Sequence, residues 1–341
     1  MARFILRRLA FLPLVMFGVT VLLFAALQTL SPEARASLYV KDPRQLDALD
    51  EVIRQYGLDR PAHVQYGRWI GEVLKGDLGY SETAKMPVAQ AIRAFFPATL
   101  ELALAAFVPT VALGVGLGTL SAVRKDKALD HFTRFVAITG YSLPAFVLGL
   151  VLLMVFYGKL GWFPPGRCSD SVLLLTSSEP FRRFTGLLSL DALLNGEFAA
   201  AADLLRHLVL PAATLTYVSI ALLLRVTRSS MLEELGKDYV RTARAKGLPE
   251  SVVVRKHALR NALIPIVTMS SLLLAGMLGG VVITETIFDF PGMGRWAVAA
   301  AQQLDIPSVL GATLLASFLF VLANLAADLL YALVDPRIGV G

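Results

Sequence analysis

The stretch TLELALAAFVPTVALGVGLGTLSAV, residues 99–123, decides what kind of protein this chain is. Its only ionisable side chain is that of Glu101. An α-helix needs about 20 mostly apolar residues to cross the roughly 30 Å hydrocarbon core of a membrane, and this stretch exceeds that length. Pro109 lies inside it, and such a proline is tolerated where neighbouring helices satisfy the freed backbone groups. The stretch therefore predicts a membrane span within a packed helix bundle.

Five further stretches qualify or nearly qualify as spans. They are residues 9–30, 132–157, 208–224, 262–284 and 309–334. The chain of 341 residues is 56% hydrophobic and only 17% charged, whereas a soluble domain carries about a quarter charged residues. This composition excludes a disordered chain, a coiled coil, a disulfide scaffold and an ordinary cytosolic enzyme. We predict an all-α polytopic membrane protein with six transmembrane helices.

Basic residues are unevenly distributed among the segments between these spans. The N-terminus carries three arginines and no acid, and segment 225–261 has nine basic residues against four acidic ones. By contrast, basic and acidic residues balance in segments 31–96 and 158–207. Loops with excess Lys and Arg face the cytoplasm. Both termini are therefore predicted to be cytoplasmic, and the net charge of +6 requires no nucleic-acid partner.

The chain divides into three parts. Residues 1–30 are predicted to form an N-terminal transmembrane anchor. The alternative is a cleaved signal peptide, but the apolar run of about 22 residues exceeds the 7–15 that are usual for one. Residues 31–96 are predicted to be an external helical segment, with amphipathic helices over 46–56 and about 62–75. Residues 97–341 form the transmembrane core, in which the structure of the external loop 158–207 is not predicted.

The basic loop 225–261 contains the clearest helix-stop signal of the chain. Residues 231–246 favour a helix, and Gly247 followed by Pro249 favours a sharp stop and a second helix that leads into the fifth span. Gly247 is expected to have a positive φ angle. From the pattern alone, an amphipathic connector that only contacts solvent would also explain this loop.

Motifs in this loop and elsewhere resemble those of a known family. The stretch YVRTARAKGL at 239–248, followed by NALIP at 261–265, resembles the EAA-type signature of ABC-importer permeases in the form found in dipeptide and oligopeptide permeases. Thr242 and Arg244 depart from the broad consensus, as does the 18-residue separation of Gly247 from Pro265, and these features resemble the peptide branch. Further matching motifs follow the same order: RRL at 7–9, GDLGYS at 76–81, PATLEL at 97–102, GYSLP at 140–144, RSSMLE at 228–233, ETIF at 285–288, PGMGR at 291–295 and DPR at 335–337.

The resemblance covers essentially the whole chain and is strongest to the first permease subunit of dipeptide transporters. It implies the type I ABC-importer permease fold in a bacterial inner membrane, with membrane lipid around it. The implied partners are a second homologous permease subunit, two ABC ATPase subunits, an external substrate-binding protein and a peptide substrate. This chain would bind no cofactor and would not be an enzyme, since it lacks the G-x-x-x-x-G-K-[ST] phosphate loop and ATP with Mg would belong to the ATPases.

Two alternatives remain at this stage. Related permeases serve other binding-protein ligands, such as nickel complexes, glutathione and opines. An ATP-independent carrier is the alternative outside the family. An intramembrane protease would need a paired acid or Ser/His set at membrane depth, which the sequence does not supply, and the four dispersed histidines do not predict a metal site.

The resemblance also implies an ATPase-coupling element in the basic loop. A short rigid helix there could transmit ATPase closure to the bundle as rigid-body motion. Small Ala243 and Ala245 are expected to allow close approach of a partner, and Gly247 is expected to set the angle to the next helix. The predicted coupling residues are Tyr239, Thr242, Ala243, Arg244, Ala245, Lys246, Gly247 and Leu248.

A second set of residues is predicted to line or gate the transport pathway. Intramembrane acids are rare and are functional candidates, with structural, peptide-amine and proton-coupling roles open. Gly276 and Gly280 form a small-xxx-small pair, which favours close helix packing or a narrow path. Phe288 and Pro291 belong to a turn, Glu285–Arg295, that would close the pore externally. The full set is Glu101, Tyr141, Pro144, Gly276, Gly280, Glu285, Phe288, Pro291 and Asp328.

Overall fold

The computed structural model describes residues 2–36 and 49–334, and within these ranges the chain is mainly helical. The long helices are α1 (Ala2–Leu27), α5 (Val88–Val123), α10 (Phe198–Leu235), α13 (Arg260–Leu278) and α16 (Ile306–Val334). The shorter ones are α2 (Pro32–Ala36), α3 (Leu49–Tyr56), α4 (Ala62–Leu74), α6 (Ala128–Ser142), α7 (Ala145–Leu152), α8 (Asp170–Thr176), α9 (Leu188–Leu194), α11 (Asp238–Ala245), α12 (Glu250–Val252), α14 (Val282–Ile287) and α15 (Met293–Gln302). Strands β1 (Tyr80–Ser81) and β2 (Met86–Pro87) form an antiparallel hairpin that pairs Tyr80 with Pro87.

The predicted all-α membrane fold is confirmed. Within the described residues, five helices are long and apolar enough to span a membrane. The pair formed by α6 and by α7 with its π-helical extension Leu153–Lys159 brings the number to as many as six. We predicted that third span, 132–157, as continuous, but its halves are bent by 103°. Leu143 is extended, with φ −85° and ψ 119°, because Pro144 disfavours helical geometry in the residue before it.

Two other spans differ in length from the prediction. Helix α10 has 38 residues and includes Pro211, so it extends well beyond the predicted 208–224. The two ends of α10 are too polar to be recognised from the sequence as part of a membrane span, but they continue the same helix. The fifth span was predicted to end at 284, but α13 ends at Leu278 and Gly280 adopts a φ of +106°, after which α14 begins. A residue with that φ angle cannot continue a right-handed helix.

Helices α5 and α10 form the centre of the bundle. They run parallel, since Ala106 on α5 contacts Thr216 on α10 and Gly118 contacts Thr227. A Cβ atom at Gly118 would lie 2.6 Å from Thr227 Cβ, so this approach requires glycine. Both helices end near the loops 124–127 and 236–249, and we call this end of the molecule the basic end. The β1–β2 hairpin marks the opposite end, which we call the hairpin end.

The segment at the hairpin end is helical where it is described. The predicted helix over 46–56 is confirmed for α3, which Gly57 ends with a φ of +64°, while residues 46–48 lie outside the described residues. The second amphipathic helix is confirmed as α4. It packs on α1, where the rings of Tyr66 and Phe24 meet edge-on at 5.3 Å. Helix α5 starts at Val88, so the predicted boundary at 96/97 falls within a continuous helix.

Candidate functional site

The predicted coupling element is a helix–turn–helix at the basic end. Helix α10 ends at Leu235, and α11 follows after a break at Gly236 and Lys237, so the single helix predicted over 231–246 is interrupted. Gly247 has a φ of +75°, which confirms the predicted turn. Pro249 precedes α12, which continues through the π-helical turn Val253–Leu259 into α13. The unit is thus joined directly to two membrane helices.

One face of this unit packs into the chain itself. Val240 and Val253 are fully buried, and Ala243 belongs to the same apolar cluster. Tyr239 is half-buried and its hydroxyl donates to the carboxylate of Glu234. The methyl group of Ala243 therefore belongs to the internal core of this chain, and the expectation that its small size lets a partner approach stays a prediction.

The opposite face is exposed along the turn. It consists of Thr242, Arg244, Ala245, Lys246, Gly247 and Leu248, which we call the exposed turn surface. Arg244 holds the turn in shape, because its guanidinium donates to both carboxylate oxygens of Glu250 at 2.7 and 3.1 Å. A Cβ atom at Gly247 would meet no atom within 4 Å. The side of Gly247 on which a side chain would project is therefore open in this chain.

Glu101 is buried and paired within the chain. Its carboxylate lies 3.1 Å from the Arg167 guanidinium and accepts the backbone N–H of Ser189 at 2.7 Å. These contacts join α5 to the segment before α8 and to α9. The geometry supports the structural role of this acid, because both of its oxygens are already occupied.

Glu285 is fully buried in the short helix α14. It accepts a hydrogen bond from the Thr99 hydroxyl at 2.7 Å and one from the Arg295 backbone N–H at 2.7 Å. Thr99 in turn accepts the backbone N–H of Met293. A carboxylate at the first turn of α15 interacts favourably with the helix dipole. Glu285 therefore fixes α14, α15 and α5 to one another.

The remaining gate candidates lie around the same turn and the bend of α6. Phe288 is buried beneath α7 at Gly149, and Pro291 is half-buried. Tyr141 and Pro144 are exposed at the 103° bend. Among the predicted pathway and gate residues, Tyr141 and Pro144 have the most accessible side chains.

The glycine pair of the fifth span is not a helix-packing motif in this chain. Gly280 lies beyond the end of α13, where a Cβ atom would lie 2.7 Å from Gly294 Cα. Gly276 is in the helix, but a Cβ there would meet nothing within 4 Å. Because Gly280 lacks a side chain, the backbone at this turn can pack closely against the backbone of Gly294. Asp328 is half-buried on α16, beside a groove of about 270 Å³ between α16 and α1.

A buried ion pair at the basic end was missed by the sequence reasoning. Asp130 is fully buried, and the Arg228 guanidinium donates to both of its oxygens at 2.7 and 2.8 Å. Ser121 donates a third hydrogen bond. The three residues join α6, α10 and α5 immediately next to the coupling unit. Arg228 lies in the RSSMLE motif at 228–233, but nothing in the sequence identifies an acid 98 residues away as its partner.

A second buried acid, Asp305, secures the hairpin end. Burial alone would raise the pKa of its carboxyl, but hydrogen bonds from the Thr83 backbone and from Ser308 and Ser81 outweigh that effect and hold the pKa below its ordinary value. The ionised form therefore links the β1–β2 hairpin to the start of α16.

Comparison with known proteins places these features in context. The profile described as "Binding-protein-dependent transport system inner membrane component" matches residues 114–340, and that of its N-terminal part matches residues 1–103. The chain is 47% identical to the probable D,D-dipeptide transport system permease protein DdpB of Escherichia coli K12, over 97% of this chain and 95% of that protein. It is 42% identical to the di/tripeptide transport system permease protein DppB of Pseudomonas aeruginosa, over 99% of both chains. It is 40% identical to the dipeptide transport system permease protein DppB of E. coli K12, again over 99% of both.

Proposed function

The chain belongs to the family of binding-protein-dependent transport system inner membrane components, and we propose that it is the permease subunit of an ATP-driven ABC importer of dipeptides and oligopeptides. The observation that carries the proposal is identity of 40–47% over nearly the full chain to three relatives named as permeases for short peptides. The resemblance of the 239–248 motif to the peptide branch of permeases agrees with it. The subunit would form half of the translocation pathway by alternating access.

The energy for transport would come from other subunits. We propose that one of two ABC ATPases docks on the exposed turn surface of this chain, and that a second, homologous permease completes the pathway. An external binding protein would deliver the peptide. The exposed turn surface suits ATPase docking because it is joined directly to α10 and α13, so that displacement of the turn would move two membrane helices.

The protein is a multi-pass component of the inner membrane. We further propose that the basic end faces the cytoplasm, as the excess of Lys and Arg there requires. Helix α1 begins and α16 ends towards that same end, because Leu27 and Asp305 lie near the hairpin end. Both termini would then be cytoplasmic. The Glu285–Arg295 turn would lie on the outer side, and its role as a gate remains a prediction.

Purification of the tagged chain from its native membrane tests the proposed function. We expect two ATPase subunits and a second permease to copurify, and the reconstituted complex with its binding protein should import labelled dipeptide only when ATP is present. Uptake of a nickel complex, glutathione or an opine in place of dipeptide would contradict the proposed substrate. Purification of the chain alone, with transport independent of ATP, would support a carrier and overturn the proposal.

Thiol labelling tests the proposed orientation. Asp59 lies in an exposed turn at the hairpin end, so Asp59→Cys in a Cys168→Ser background should react with a membrane-impermeant maleimide added outside spheroplasts. As the matched control, Lys246→Cys on the exposed turn surface should react only after the membrane is opened. The reverse pattern of labelling would show that the basic end faces outwards.

A further inference from the structure

Arg225 is a cation on the membrane-spanning helix α10. Its side chain is exposed in this chain, and among the residues that the structure describes no carboxylate forms an ion pair with it. The guanidinium carbon lies 5.6 Å from the centre of the Tyr141 ring. A charged side chain within a membrane helix faces protein or a water-filled cavity rather than lipid. Arg225 is therefore a candidate for a functional contact.

The bend of α6 brings Tyr141 to this position. Tyr141 lies in the last turn of α6, directly before the 103° bend, and is 75% exposed. The preceding Gly140 packs against α10 so closely that a Cβ atom would lie 3.0 Å from Ala221 Cβ and 3.0 Å from the Tyr217 carbonyl oxygen. This contact sets the ring of Tyr141 beside Arg225. Thr139 and Tyr217 share a hydroxyl–hydroxyl hydrogen bond of 2.7 Å, so the bend is a polar region.

Three other charged groups that the structure describes in the bundle are already paired, one close to Arg225 and two towards the hairpin end. Arg228, one turn further along α10, is bound by Asp130. Glu101 is held by Arg167, and Glu285 caps α15. Arg225, by contrast, has one face over an aromatic ring, an arrangement that leaves the N–H groups at the guanidinium edge free to donate. The site is thus preorganised to receive an anion.

We propose that Arg225 and Tyr141 form a carboxylate-binding site in the transport pathway, which takes the C-terminal carboxylate of the peptide as it passes the bend. This inference rests on the proposed function, since every linear peptide has this group whatever its side chains. A guanidinium binds a carboxylate through two parallel hydrogen bonds, and the Tyr141 hydroxyl can donate a third. One site would therefore serve substrates of different sequence.

The test compares Arg225→Gln with Arg225→Lys in the complete complex, reconstituted in proteoliposomes with its binding protein and labelled dipeptide. The quantity measured is dipeptide imported per ATP hydrolysed. Arg225→Gln should lower this ratio about tenfold, as expected when a charge-assisted hydrogen bond is lost. Arg225→Lys, which keeps the charge but not the bidentate geometry, should fall between that value and the wild type.

Three outcomes would overturn the site. In the first, Arg225→Gln imports as much dipeptide per ATP as the wild type, which would show that the substrate does not bind the charge of Arg225. In the second, both variants fail to assemble with the other subunits, which would assign Arg225 to a contact with a carboxylate of a partner subunit. In the third, the wild-type complex shows no ATP-dependent dipeptide uptake, a result that overturns the proposed function and the peptide site with it.

Discussion

Replacing Gly247 by valine should abolish peptide-stimulated ATP hydrolysis and transport while leaving the chain inserted in the membrane. Gly247 has a φ of +75°, a conformation that costs an L-residue about 1–2 kcal/mol and a β-branched one still more. A Cβ atom at this position meets no atom within 4 Å in this chain, so the fold leaves the start of the new side chain unobstructed. It would instead project from the exposed turn surface into the space proposed for the ATPase.

Two control variants separate backbone strain from loss of the contact. Gly76 also has a positive φ, +86°, and open space around it, but it lies at the hairpin end. Gly76→Val should therefore impose similar strain without loss of ATPase stimulation. Gly247→Asn should be milder than Gly247→Val, because asparagine tolerates positive φ better than other L-residues. If Gly247→Val copurifies with the ATPases and transports at the wild-type rate, the assignment of this turn to coupling is wrong.

Replacing Asp130 by alanine should destabilise the protein by about 3–5 kcal/mol, the cost of leaving one member of a buried ion pair without its partner. The side chain of Arg228 is only 20% exposed and would lose both of its hydrogen bonds to the carboxylate. The junction of α5, α6 and α10 would loosen next to the coupling unit. The measurement is the midpoint of thermal aggregation in detergent, with transport assayed in parallel.

The charge of Arg228 supplies the control for this prediction. In Asp130→Ala/Arg228→Met neither charge remains, so the double variant should recover part of the stability lost in the single one. The exposed pair Asp238–Arg241, 3.3 Å apart, offers a comparison in which Asp238→Ala should have little measurable effect. Equal destabilisation by Asp130→Ala and by the double variant would show that the pair contributes through packing rather than charge.

The sequence by itself determined the features that depend on neighbours along the chain. An apolar run of sufficient length predicts a membrane helix wherever it packs, so the spans at 99–123 and 309–334 were found within α5 and α16. The turn at Gly247 was predicted for the same reason. A glycine that can adopt a positive φ angle, followed two residues later by a proline that cannot continue the helix, ends a helix through its local backbone geometry alone. Loop charge is likewise additive along the chain, and it identified the basic end.

Tertiary structure decided how the polar groups within the bundle are used. Thr99 and Glu285 meet across 186 residues, and Asp130 and Arg228 meet across 98, distances over which no sequence pattern specifies a partner. The same holds for Ala243, whose burial depends on Val253 of the next helix rather than on its own small size. A proline also marks a break without fixing its angle, and it is the packing of Gly140 on α10 that brings Tyr141 beside Arg225 at the 103° bend. Local preferences set which segments are helical, whereas long-range pairing sets which charges are neutralised and which remain available.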